Sequence, residues 1–234
     1  MKKPPAIQTS LALGKTPTKR RGRGRPPKYK GYATRYGDRM KFARRTPLHI
    51  TLKVDRAFKS LRRRDEYRAV RAAMVKMLGR DDFRIIHLSL EGDHIHLIVE
   101  ATSHQALAGS MKAFECSAAQ RLNRCIGRRG RVFVTNYFAR VIKNPTQALR
   151  VMSYVLNNWR KHKQSRRYEC ANWQVDYFST APSFTGWARS PDADCSHDFG
   201  WSYEPMPATE PTHFLLEKGW KLVGGIRFDA VPST

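Results

Sequence analysis

The triplet His94-Ile95-His96 carries the sharpest chemical signal in this 234-residue sequence. It follows the turn Glu91-Gly92-Asp93 and opens the strand-like run HIHLIVEA. Side chains two apart on a strand point to the same face, so both imidazoles can reach one ion. A divalent cation held this way still needs an oxygen ligand and open positions for a phosphate oxygen. The competing reading is a pair of ordinary surface histidines on the polar edge of a strand. A hairpin symmetric about Gly92 pairs His87 near Leu97 and turns it away from the other two, whereas a bulge reverses that parity. A packed or backbone-bonded role is expected for His87.

The second half of the constellation lies on a helical stretch, Tyr154-Val155-Leu156-Asn157-Asn158. Tyr154 and Asn158 are four apart and share a face, with Val151, Val155 and Trp159 on a different, apolar side. A tyrosine there can simply cap a core. Beside a metal-bound phosphate, however, a phenol is a workable nucleophile, and an amide oxygen can complete an ion's coordination.

The elements that must position these groups are legible. His49 to Val54 alternates, with Ile50, Leu52 and Val54 on one face of a strand. A helix is expected over 65–78, ending near Gly79, with Tyr67, Val70, Met74, Met77 and Leu78 at helical spacing. Phe83–Leu90 and His94–Glu100 read as a hairpin. Ser103 caps a long helix whose stripe is Leu107, Met111, Phe114, Ala118, Leu122 and Ile126, stopped by Gly127. An apolar strand-like segment follows, around Val132 to Ile142. Asn144-Pro145-Thr146-Gln147 then opens a helix running to about His162. The order matches an α+β fold of ferredoxin-like, split βαβ type: an antiparallel sheet, two helices on one face, an added C-terminal helix carrying Tyr154, and an irregular tail.

Forty-four Lys plus Arg against 19 Asp plus Glu give a formal charge of +25, which points to a polyanionic partner. Residues 1–64 hold 21 basic and 2 acidic side chains, residues 65–164 hold 17 and 8, and residues 165–234 hold 6 and 9. The chain divides accordingly into a basic flexible arm over 1–46, a domain over 47–164, and a Trp-containing extension over 165–234 packed on that domain. In the arm, Arg20, Arg21, Arg23 and Arg25 are interrupted by glycine and followed by proline, which keeps the segment extended. It resembles a minor-groove hook, and the plainer reading is a nonspecific polycationic tail. The glycine-bearing loop with Arg128, Arg129 and Arg131 is a candidate for DNA backbone contact, as are Arg140, Arg150, Arg160 and Lys161. Tryptophans 173, 187, 201 and 220 sit in the acidic extension, where anchoring is expected over base stacking. Four cysteines with no CxxC exclude a disulfide scaffold and argue against a zinc finger. No apolar run spans a membrane and no signal peptide is legible, so a cytoplasmic protein is expected.

GDHIHLIVEA at 92–101, GRVFVTNYFARVIKNP at 130–145 and YVLNNWRKH at 154–162 resemble the HUH endonuclease superfamily in its single-tyrosine transposase branch. The REP-associated tyrosine transposases of bacteria are the group matched. The resemblance covers residues 47–164, and parts of the tail resemble the extension of longer members. It implies that His94 and His96 bind a divalent metal, that Asn158 is the third ligand and that Tyr154 is the nucleophile. It further implies cleavage and rejoining of single-stranded DNA at a hairpin through a 5′-phosphotyrosine, without ATP. Mg²⁺ or Mn²⁺ is the metal the resemblance implies, although two imidazoles alone would equally accept zinc or nickel. A relaxase or replication-initiator nickase, and a noncatalytic hairpin DNA- or RNA-binding module, are the alternatives. A monomer is expected, with a dimer the alternative.

Overall fold

The structure is a computed structural model that describes residues 45–134, 136–164, 174–191 and 201–232. The arm arginines Arg20, Arg21, Arg23 and Arg25, and also Trp173, lie outside the described residues. Strands β1 (Pro47–Lys53), β2 (Phe83–Leu90), β3 (His94–Ala101) and β4 (Phe138–Val141) form one antiparallel sheet in the order β2-β3-β1-β4. Helices α1 (Arg64–Val75) and α2 (His104–Cys125) pack together on one face, and α3 (Pro145–Lys161) lies across β2 and β3 on the other. The expected ferredoxin-like plan with an added helix is present.

Alternation explains the two layers. Leu48, Ile50, Leu52 and Val54 are fully buried toward α1 and α2, joined by Tyr67, Val70, Met74, Met111 and Phe114. The opposite face of β1 and β3 presents His49, Thr51, His94, His96 and Ile98, and Ile98 packs with Met152, Val155 and Leu156 of α3. Both expected caps form. Ser103 accepts a hydrogen bond from the Ala106 amide, and Asn144 accepts one from Gln147 while the Gln147 side chain accepts from the Lys143 amide.

Three expectations need correction. Helix α1 ends at Val75, with residues 76–78 in a turn and Gly79 at φ +76°, and this leaves Leu78 largely exposed. Ile126 is likewise outside the buried stripe of α2. The segment 132–142 is not one strand: Phe133 makes a single bridge to Val54, and regular pairing resumes only over Phe138–Val141.

The hairpin register also differs. Glu91 donates its amide to the His94 carbonyl, so the loop is Gly92-Asp93 and the symmetry point lies between those residues. His87 then pairs with Ile98 and faces the same side as His94 and His96. A bulge between Ile85 and His87 shifts only the far end of β2.

The tail explains why His87 is still not part of the histidine cluster. Residues 178–180 run along the outer edge of β2, with Leu90 donating to Phe178, Thr180 donating to Leu88, and Ser179 bridging Ser89. His87 is buried there against Thr180 Oγ1 (3.1 Å) and the Phe184 ring. Burial lowers its pKa to about 4. The unfolded chain therefore binds more protons between about pH 6.5 and 4, and stability is full above that window and falls through it. A shift of that size corresponds to roughly 3 kcal/mol. His87→Gln should flatten the fall in melting temperature across this window relative to the unmodified protein, measured by thermal melts at a series of pH values; parallel curves would exclude it.

Candidate active site

On the α3 face, the strand row Thr51–His96–Ser89 brings one side chain from each of β1, β3 and β2 side by side. The His94 and His96 rings are 4.7 Å apart between centroids, as strand periodicity requires of a pair aimed one way. His94 places Nδ1 2.8 Å from Asp93 Oδ1. With the proton on Nδ1 this fixes the tautomer and leaves Nε2 free as a donor atom. His96 Nδ1 lies 3.2 Å from His49 Nε2 and 3.3 Å from Thr51 Oγ1, so it can donate to either. The His96 Nε2 is buried with no hydrogen-bond partner among the described residues. Burial, then the neighbouring His49, His94, His162 and Lys161, push its pKa down to about 2. The ring is thus held neutral, the state a metal ligand needs.

Helix α3 supplies the other half. Its apolar stripe of Ala148, Met152, Val155 and Trp159 faces the sheet, which fixes the helix rotation and carries Asn158 into the interior. Tyr154 lies half-buried with its ring 5.1 Å from His96 and 6.0 Å from His49. Asn158 is fully buried, and neither its oxygen nor its nitrogen has a hydrogen-bond partner among the described residues. Orphaned polar atoms of this kind cost free energy unless something satisfies them. Two imidazole nitrogens and an amide oxygen form a donor set that a divalent cation fits, and His96 Nε2 and Asn158 Oδ1 are the orphans it would satisfy. Among the described residues, no cluster of three or more His, Cys, Asp or Glu side chains could hold an ion. The set found here relies on an amide in the third place.

Three neighbours escaped the sequence reading. His49 was visible only as a polar position of an alternating strand, and burial followed by the Arg140 charge lowers its pKa to about 4. His162 ends α3 with its ring 5.4 Å from His94. Glu91, seen only as a turn residue, is fully buried; Oε1 accepts from Ser89 while Oε2 has no hydrogen-bond partner among the described residues. Burial, then Asp176, raises its carboxyl to about 7, against the pull of Arg62. Burial, then the Glu91 charge, also raises the Tyr154 phenol.

Beside Tyr154 opens a cavity of about 590 Å³ lined by His49, Arg140, Arg150, Val151 and Lys161 among others. Val151 borders this cavity and also packs against the apolar layer beneath α3, the side expected of it. Lys161 Nζ stands 5.2 Å from the Tyr154 ring. Other predicted basic residues lie elsewhere. Arg160 donates to the Phe228 and Gln174 carbonyls, so those donors tie the tail to α3 rather than face the cavity. Arg128 pairs with Asp55 at 3.1 Å, and Arg131 donates to the Phe133 carbonyl. Their loop runs against the end of β1, where Lys53 pairs with His94, and Arg129 is exposed there. In the tail, Trp220 is buried and Trp187 and Trp201 are partly buried, as anchors should be.

The model of the family described as "Transposase IS200 like" matches residues 45–158, a span that begins just before β1 and ends on Asn158. Over those residues the chain is a member of the IS200-like transposase family. A solved REP-associated tyrosine transposase bound to a REP hairpin is similar to this chain at 16% identity, covering 76% of this chain and 93% of its own, with a TM-score of 0.49. A protein from Deinococcus radiodurans R1 described as a transposase is similar at 13% identity, covering 56% and 97%, with a TM-score of 0.35. A search of curated proteins finds no significant match. Family membership rests on the sequence match, and the solved structures add no argument at these scores. No helix among the described residues is long and apolar enough to cross a membrane.

Proposed function

We propose that this protein cleaves and rejoins single-stranded DNA beside a hairpin, with Tyr154 as the nucleophile and a 5′-phosphotyrosine as the intermediate. The observation that carries this reading is the approach of the Tyr154 ring to 5.1 Å from His96, next to the orphaned Asn158 amide. His94 Nε2, His96 Nε2 and Asn158 Oδ1 would hold a divalent cation, Mg²⁺ or Mn²⁺ by family resemblance. Such an ion supplies positive charge against the oxygens of the scissile phosphate.

The chain's own groups do the rest. The Tyr154 phenolic oxygen attacks phosphorus, the new P–Oη bond forms, and the P–O3′ bond breaks to leave a 3′-hydroxyl. Rejoining reverses the step with an incoming 3′-hydroxyl. A phenol raised above its ordinary pKa is protonated at neutral pH, so positive charge must gather as the proton leaves. Lys161 beside the ring, with Arg140 and Arg150 in the cavity wall, provides it and would also hold the substrate phosphates. Further contacts to the hairpin phosphates are assigned to the arm arginines 20, 21, 23 and 25 and to the loop arginines 128, 129 and 131 by their charge. Tail coverage of α3 supports a monomer working on its own tyrosine.

The full chain, incubated with internally labelled hairpins bearing degenerate single-stranded flanks, should yield a denaturation-resistant adduct with Mg²⁺ or Mn²⁺ and none with chelator. Hairpin binding without an adduct on any flank would favour a noncatalytic binding module.

A further inference from the structure

The edge strand β4 places an aromatic ring where a packed fold has no use for one. Alternation sends Ala139 and Val141 into the core, where they are partly buried, and sends Phe138 and Arg140 to the opposite face. Phe138 is 62% exposed. A single exposed apolar side chain is ordinary on a protein surface, so exposure alone carries nothing.

Position carries the argument. Arg140 pairs with His49 and Phe138 pairs with Thr51, so both share the face of the histidine cluster. The row Phe138–Thr51–His96 crosses three adjacent strands. With neighbouring strands about 4.8 Å apart, Phe138 lies two spacings, about 10 Å, from His96. At about 3.4 Å per nucleotide along a stacked strand, that distance is about three nucleotides, and fewer in an extended strand. The Arg140 guanidinium sits 6.0 Å from the Phe138 ring centroid and also lines the cavity beside Tyr154. An open aromatic face, a cation against it and a basic channel leading away form the combination that binds unpaired nucleotides, with the ring taking the base and the cations taking the backbone.

We propose that Phe138, flanked by Arg140, is a stacking platform for one unpaired base of the strand whose phosphate lies at Tyr154. This rests on the single-strand reading of the site, and it adds a base subsite outside the metal and nucleophile cluster. Stacking of this kind tolerates any base, so the platform fixes the path of the strand rather than its sequence.

The test uses the full chain, without metal, and a hairpin whose single-stranded flank carries 2-aminopurine at each position in turn. In the unmodified protein, fluorescence should be quenched most at one flank position within about three nucleotides of the cleavage site. Phe138→Ala should lose that quenching and weaken flanked-hairpin binding about ten-fold, with an unchanged dependence on salt because no cation is removed. Phe138→Trp should retain both quenching and affinity, and a blunt hairpin should bind all three proteins alike.

Equal quenching and affinity in Phe138→Ala would overturn the proposal, as would equal weakening on the blunt hairpin. Self-association of the unmodified chain that Phe138→Ala abolishes, measured by sedimentation without DNA, would overturn it by assigning the ring to a contact between copies. Adduct formation, read separately, keeps the two readings apart. An adduct with no Phe138 effect removes the platform alone, whereas a Phe138 effect without an adduct leaves a base-stacking binder and removes the nuclease.

Discussion

Tyr154→Phe should form no covalent adduct and should lower strand cleavage by on the order of 10⁴-fold or more, the scale on which removal of a lone nucleophile is felt. The substitution deletes one oxygen and keeps the ring that stands against His96, His49 and Lys161. Hairpin affinity and melting temperature should therefore stay close to those of the unmodified protein, because Tyr154 is only half-buried. Denaturing gels of labelled strand read the adduct, and a filter or anisotropy titration reads the binding. An adduct of unchanged yield in Tyr154→Phe would show that a different side chain attacks.

The second large effect is on stability. Arg62 and Asp176 form a two-pronged pair, Nη1 to Oδ2 at 2.8 Å and Nη2 to Oδ1 at 2.7 Å, with side chains 4% and 0% exposed. Arg62 also donates to the Leu90 carbonyl, and Asp176 accepts from the Phe178 amide. The pair thus joins the approach to α1, the β2–β3 turn and the tail. Asp176→Ala strands a buried guanidinium and should cost about 3–5 kcal/mol. In a chain of this size that is a fall of roughly 10 °C in melting temperature. The double variant Arg62→Met with Asp176→Leu should recover most of the loss, because a buried ion pair replaced by apolar groups is often near neutral. Failure of the double variant to recover would place the cost in lost backbone anchoring instead. Calorimetry of the three proteins decides it.

Local patterns explain which features were legible in sequence. The caps at Ser103 and Asn144 and the alternation of β1 are encoded within a few residues, and so is the shared direction of His94 and His96; the structure shows each. Whatever depended on pairing between distant segments was harder to read. The hairpin register hinged on a single amide, Glu91 to His94, and it reversed the side on which His87 stands. His49 and Glu91 reach the cluster only because β1 pairs with β3 and the turn folds inward, which no spacing announces. The aromatic density of the tail was plain, but its backbone pairing along β2 and its carbonyl contacts to Arg160 were not.

Those tail contacts bear on how the molecule can be cut. The layer beneath α3 is built jointly: Ile86, Ile98, Met152, Val155 and Leu156 meet Val175, Ala181, Leu215, Leu216, Trp220 and Ile226. Asn157 and Arg160 reach the backbone of residues 227 and 228 from the middle and end of the same helix. A fragment trimmed to the family-matched span would carry every candidate ligand and the nucleophile, yet it would expose one side of a half-built interior. The smallest piece able to hold the tyrosine in place is set by where the second core closes, some seventy residues beyond the last recognisable motif.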